Sequence, residues 1–184
     1  MILNQEQIMN YFTRIGLNYD DYKYHKLDGQ FLAELCFAHN ISIPFENLDI
    51  LNHKEISLDG SILYDKIITK HRGGLCFELN GLSEIFLRSL GFGVKDLSSR
   101  FFRDAGNDIP MQRHRLLKVE AADGTYIWDI GIGQRSPKYP LRLAEGLVQK
   151  QCGEVYKLEK EAFYGWVLYE YYKDQWSRIL SFTE

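Results

Sequence analysis

The chain is poor in cysteine, and the three it has do not form a close pair. Cys36, Cys76 and Cys152 are an odd number at wide spacing, which excludes a disulfide framework and fits a reducing cytoplasm. There is no C-x-x-C and no H-x-x-x-H, so no metal is expected. No apolar run approaches the ~20 residues that cross a bilayer. Met1 to Asn10 lacks the basic stretch and apolar run of a secretory signal. Neither sign of charge dominates: 22 Lys and Arg against 25 Asp and Glu leave a net charge of −3. That balance gives no reason to expect nucleic acid or a membrane as partner. Internal repeats and low-complexity segments are absent as well.

What remains is a globular composition, 45% hydrophobic over 184 residues, enough for one large domain or two small ones. The pattern changes near residue 92. Before it, apolar residues recur at helical spacing: Ile8, Phe12 and Ile15 behind a cap at Asn4; Phe31, Leu32, Leu35, Cys36 and His39 behind Asp28; Ile62, Leu63 and Ile67 behind Asp59. After it the period falls to two, which predicts strands at 94–103, 114–121, 125–132, 154–159, 163–172 and 175–182. Asp123-Gly124 is a strong hairpin signal and Lys173-Asp174 a weaker one. The expected class is α+β: a helical bundle over 1–91, then an antiparallel sheet or barrel over 92–184.

One helix stands apart. Arg72-Gly73-Gly74-Leu75-Cys76 leads into Leu79, Leu82, Phe86 and Leu90, and Gly91 stops it. Cys76 thus occupies the first turn, where unpaired N–H groups and the positive end of the helix dipole favour a thiolate, the nucleophilic form. A metal-free nucleophilic cysteine needs a base, and the base an orienting group. Of five histidines, His39 lies on an apolar stripe as a satisfied core residue, His25 and His53 sit in polar loops, and His71 suits a helix end. His114 begins a strand, and Asp129 interrupts an apolar run in the next one. A two-residue Asp123-Gly124 turn would pair His114 with Gly133 and Asp129 with Lys118. That places His114 and Asp129 on one face but roughly 13 Å apart, so contact requires a bulge, another register or diverging strands. Asp129 as a partner of Lys118, or as an acid near the turn, is the competing reading. Glu78 and Arg72 are read as pairing with each other or as capping, Cys36 as core, and Cys152 as a loop or strand residue.

At these residues the chain resembles the arylamine N-acetyltransferase family. Arg72-Gly73-Gly74-Leu75-Cys76-Phe77-Glu78-Leu79-Asn80-Gly81 resembles its active-site motif, and Ile43-Pro44-Phe45-Glu46-Asn47-Leu48 its upstream segment. Arg113-His114-Arg115 falls at its histidine, and Trp128-Asp129-Ile130-Gly131-Ile132-Gly133 at its aspartate. The resemblance implies a Cys76–His114–Asp129 triad on a cysteine-protease-like core, acetyl-CoA as co-substrate, and transfer through acetyl-Cys76. The acceptor would be an arylamine, arylhydrazine or N-hydroxyarylamine, with Phe45, Phe77 and Ile132 lining an apolar slot or packing in the core. Two departures stand out. Arg113 replaces a usual Thr or Ser, and Ile132 replaces an aromatic, which is expected to reshape the acceptor pocket. Family members also continue for roughly another third, as a lid domain, so this chain is expected to lack the lid. Two rivals remain at this point. One is a peptidase or transglutaminase on the same physics; the other is a homologue that folds and binds without turnover.

Overall fold

The computed structural model describes residues 1–103, 108–133 and 136–184. Its first half is helical: α1 (Gln5–Arg14), α2 (Tyr19–Tyr22), α3 (Gly29–Ser42), α4 (Leu48–Leu51), α5 (Gly60–Tyr64) and α6 (Cys76–Leu90). α5 runs on into a π-helical turn, Asp65–Thr69. The expected caps are in place. Asn4 Oδ1 accepts from Gln7 N, Asp28 Oδ1 from Phe31 N, and Asp59 Oδ1 from Ser61 N. Gly91 closes α6 at φ +101, a left-handed conformation that glycine adopts without a Cβ penalty.

The second half forms one eight-stranded antiparallel sheet: β1 (Gly93–Phe101), β2 (Gln112–Ala121), β3 (Gly124–Trp128), β4 (Leu141–Arg142), β5 (Gln149–Gln151), β6 (Glu154–Glu161), β7 (Gly165–Tyr172) and β8 (Gln175–Phe182). Spatial order is β4-β3-β2-β1-β8-β7-β6-β5. The two outer strands approach each other. Arg142 N donates to Gln149 Oε1 at 2.8 Å, Gln149 Nε2 donates back to Arg142 O at 3.0 Å, and Gly146 N donates to Leu158 O at 2.8 Å. The sheet therefore curls into a near-barrel, which leaves little edge to pair with another chain.

Two cores follow from the period of two. Leu97, Leu116, Ile127, Leu158, Leu168 and Leu180 fill the barrel. Val94, Leu117, Val119 and Trp128 point to the opposite face and bury against Phe12, Leu35, Leu79 and Phe86 of the helices. β2 and β3 are thus buried on both faces, which fixes how α6 lies on the sheet. Among the described residues no helix is long and apolar enough to cross a membrane.

The β2–β3 hairpin turns at Ala122-Asp123, because Ala121 pairs with Gly124 and Leu117 with Trp128. This corrects the Asp123-Gly124 turn by two residues of pairing. The cause is not local. Asp123 Oδ1 accepts the Gly29 N–H opening α3 (2.8 Å), its Oδ2 accepts from Tyr126 (2.9 Å), and Ala122 N donates to Leu27 O. Extended by this register, His114 and Asp129 become diagonal neighbours on the barrel-facing side, within reach of each other.

Candidate active site

The cysteine helix is held by its glycines and its charges. A Cβ on Gly73 would lie 1.9 Å from Pro44 O, so only glycine lets the 44–46 segment run alongside. That segment bridges Phe45 to Gly74, and Glu46 N donates to Gly74 O at 3.0 Å. Behind it lies an ion network. Lys66 Nζ contacts Glu78 Oε1 at 2.7 Å and Asp49 Oδ2 at 2.8 Å, while Arg72 binds Glu46 (2.6 Å) and Asp49 (3.0 Å). Glu78 and Arg72 therefore do not pair with each other. Glu78 caps, its Oε2 accepting the Leu75 N–H at 2.9 Å. Burial works against the Lys66 charge, and Asp49 and Glu78 outweigh it, raising its pKa. Lys66→Met should cost about 3–5 kcal/mol by stranding a buried carboxylate, read as a lower denaturation midpoint. A loss near zero would show the network to be solvated.

His114 sits at the rim end of β2, with its ring against Phe101 at 5.8 Å between centroids. Its Nε2 lies 2.6 Å from Asp129 Oδ2, both side chains being buried. The Asp129–Lys118 alternative is not formed, since Lys118 pairs with Glu120 and Glu184. Burial pulls the His114 pKa down, but the Asp129 carboxylate and the Cys76 sulfur outweigh it and push it up to about 10. With Nε2 taken by Asp129, Nδ1 is the ring nitrogen left for the hydrogen bond with Cys76. Gly131 closes the arrangement: a Cβ there would lie 2.6 Å from Cys76 Cα, so the backbone after Asp129 can press against Cys76 only as glycine.

Cys76, His114, Phe45, Ile132, Phe101 and Arg113 line one cavity of about 170 Å³, with Gly131 at its wall. Phe77 is not among its lining residues and is 36% exposed. A larger cavity, about 330 Å³ between α1, α2 and α3, is lined by Phe12, Tyr22 and Phe31 and holds no cysteine and no carboxylate. Cys76 and His114 meet in the smaller one. Of the other histidines, His39 is buried, its Nδ1 bonded to Tyr11 at 2.9 Å and its Nε2 without a partner, and burial pushes it down to about 3. Among the described residues no three His, Cys, Asp or Glu side chains form a metal-sized cluster.

Asn80 went unread in the sequence although it stands four residues after Cys76, on the same helix face. It is fully buried, and its Nδ2 donates to Asp129 Oδ1 (3.1 Å) and Arg115 O (2.6 Å) while its Oδ1 accepts from Ile130 N (3.3 Å). Asn80 fixes both strand ends to α6. Asn80→Ala should lower kcat by about 10- to 100-fold through misplacement of His114 and Asp129, with KM little changed. An unchanged kcat would remove Asn80 from the positioning scheme.

A cysteine at a helix start beside a sheet-borne histidine and carboxylate is the constellation of enzymes that form covalent thioacyl intermediates. A family model described as N-acetyltransferase matches residues 28–184. The arylamine N-acetyltransferase / N-hydroxyarylamine O-acetyltransferase of Salmonella typhimurium is 40% identical over 151 residues, covering 82% of this chain and 53% of the relative. The Mycobacterium tuberculosis arylamine N-acetyltransferase is 38% identical over 178 residues, covering 94% and 61%. Among solved structures, the Salmonella enzyme superposes with a TM-score of 0.89 at 35% identity, covering 99% of this chain and 64% of that one. The Mycobacterium marinum enzyme in complex with CoA gives 0.83 at 34%, covering 96% and 65%. The chain belongs to the arylamine N-acetyltransferase family, and its matches span between about half and two thirds of these relatives' lengths.

Proposed function

We propose that this chain carries the acyl-transfer centre of an arylamine N-acetyltransferase working by a two-step exchange. The observation that supports it is His114, held by Asp129 on Nε2 and facing Cys76, at the floor of a one-ring apolar pocket. In the first step Cys76 Sγ, as thiolate, attacks the acetyl carbonyl of acetyl-CoA. The new C–Sγ bond forms, the bond to the CoA sulfur breaks, and His114 supplies the proton that CoA carries away. In the second step the acceptor nitrogen attacks acetyl-Cys76. Its bond to the carbonyl carbon forms, the C–Sγ bond breaks, and His114 takes the amine proton. Asp129 holds the imidazole orientation and balances its charge. The first N–H groups of α6 have no intrahelical acceptor and no N-cap side chain, and they serve the oxyanion of both steps.

Phe45 and Ile132, with Phe101, form the walls for an aromatic acceptor. An N-hydroxyarylamine would accept through oxygen by the same second step. Three free cysteines, one of them read as the nucleophile, fit a reducing cytoplasm. Initial rates with acetyl-CoA and 4-methylaniline varied together test the scheme. Parallel double-reciprocal lines are expected from a covalent intermediate; intersecting lines would mean direct transfer within a ternary complex.

A further inference from the structure

We propose that Arg113 makes the Cys76 pocket selective for aromatic acceptors that carry an anionic group on the ring, an inference that rests on the acyl-transfer reading above. The strand geometry places this residue. β1 pairs Ser99 with His114 and then Arg100 with Gln112, which leaves Arg113 as an extra residue in β2. In a regular strand neighbours point to opposite faces. A bulge re-aims one of them, and here both Arg113 and His114 line the cavity.

Among the described residues no carboxylate balances the charge of Arg113. Its neighbouring arginines are engaged: Arg100 Nη1 donates to Pro110 O, Arg103 pairs with Glu170, and Arg115 pairs with Asp96 and Glu84. His114 has Asp129. Arg113 has no ion-pair partner among the described residues, and no carboxylate lines the cavity. Arg113, an exposed residue lining a slot whose other walls are apolar apart from Cys76 and His114, offers a guanidinium fork for a carboxylate or sulfonate.

The size of the slot says where that anion must sit. A cavity of about 150 Å³ accepts a benzene, so the 170 Å³ here takes one ring between the sulfur and the guanidinium. An acceptor with its amine at acetyl-Cys76 would present a ring substituent to Arg113. The phosphates of acetyl-CoA lie at the far end of the pantetheine arm, outside a one-ring cavity, when the thioester is at Cys76.

Two readouts test this with 4-aminobenzoate against its neutral counterpart 4-aminobenzamide. The first needs no turnover: the concentration of each that half-protects Cys76 from iodoacetamide. The wild type should favour the anion by roughly 10- to 100-fold, Arg113→Gln should erase the preference, and Arg113→Lys should keep part of it. The second is the same ratio in kcat/KM. Equal protection in the wild type, or a preference that survives in Arg113→Gln, overturns the proposal. So does a variant that slows acetylation by acetyl-CoA and leaves the ratio intact, since the guanidinium would then serve the donor. If Cys76 takes no acetyl group at all, the acyl-transfer reading fails while the protection ratio still decides the role of Arg113.

Discussion

Replacing Cys76 with Ala will abolish acetyl transfer and leave the fold in place. The sulfur is the only thiol in the cavity, because Cys36 is buried in the helical core and Cys152 is exposed beyond β5. The other nucleophilic side chain there, His114, is held by Asp129. Removing a nucleophile of this kind typically costs on the order of 10⁴-fold or more. Ala is the best helix former and suits the first turn of α6, so the melting temperature should stay close to wild type. Turnover measured by release of free CoA, beside a thermal melt, reads both. Retained turnover in a folded variant would remove Cys76 from the mechanism.

Asp129→Asn should cost on the order of 10³- to 10⁴-fold in kcat, although it changes one atom. Asp129 Oδ1 already accepts from Gly131 N at 2.9 Å and from Asn80 Nδ2 at 3.1 Å. Those two donors will hold the oxygen of the new amide and turn its NH₂ toward His114 Nε2. That nitrogen must then accept, so the neutral ring carries its proton on Nδ1, beside Cys76, where it cannot take the amine proton. The charge effect acts in the same direction. Burial lowers the His114 pKa, and the carboxylate is the main opponent of that fall. Without it the imidazolium is lost at neutral pH, and alkylation of Cys76 at pH 7 should slow. A variant with wild-type kcat and an unshifted alkylation profile would reduce Asp129 to a packing role. The same linkage acts on stability. The folded-state pKa of His114, about 10, lies above its ordinary 6.5. Its stabilisation is therefore complete below 6.5 and fades as pH rises toward 10. His114→Gln should flatten that part of the melting profile.

Much of this arrangement could be read from the residues, and the gaps have particular causes. α6 was bounded by Cys76 and Gly91 because its stripe and its stop are local features. The capped starts of α1, α3 and α5 were legible for the same reason. β4 and β5, two and three residues long, are too short to show a period. The hairpin register failed because Asp123 is committed to α3 and Tyr126, contacts that no local rule contains. With the true register, His114 and Asp129 meet without a bulge between β2 and β3. The bulge lies instead between β1 and β2, and it brings Arg113 into the pocket against the alternation expected of a strand. Phe77, offered by the resemblance for the slot or for core packing, does not line the cavity. A helix turns about 100° per residue, so adjacent side chains diverge, and Phe101 on β1 is the further aromatic that lines the cavity.

The central claim is that Cys76 carries the acetyl group. Intact mass after incubation with acetyl-CoA, followed by peptide mapping, tests it most directly. The account predicts one acetyl group, located on Cys76, that disappears when an arylamine is added and reappears as the N-acetylated amine. An acetyl group found on another residue, or one on Cys76 that an arylamine does not remove, would contradict it.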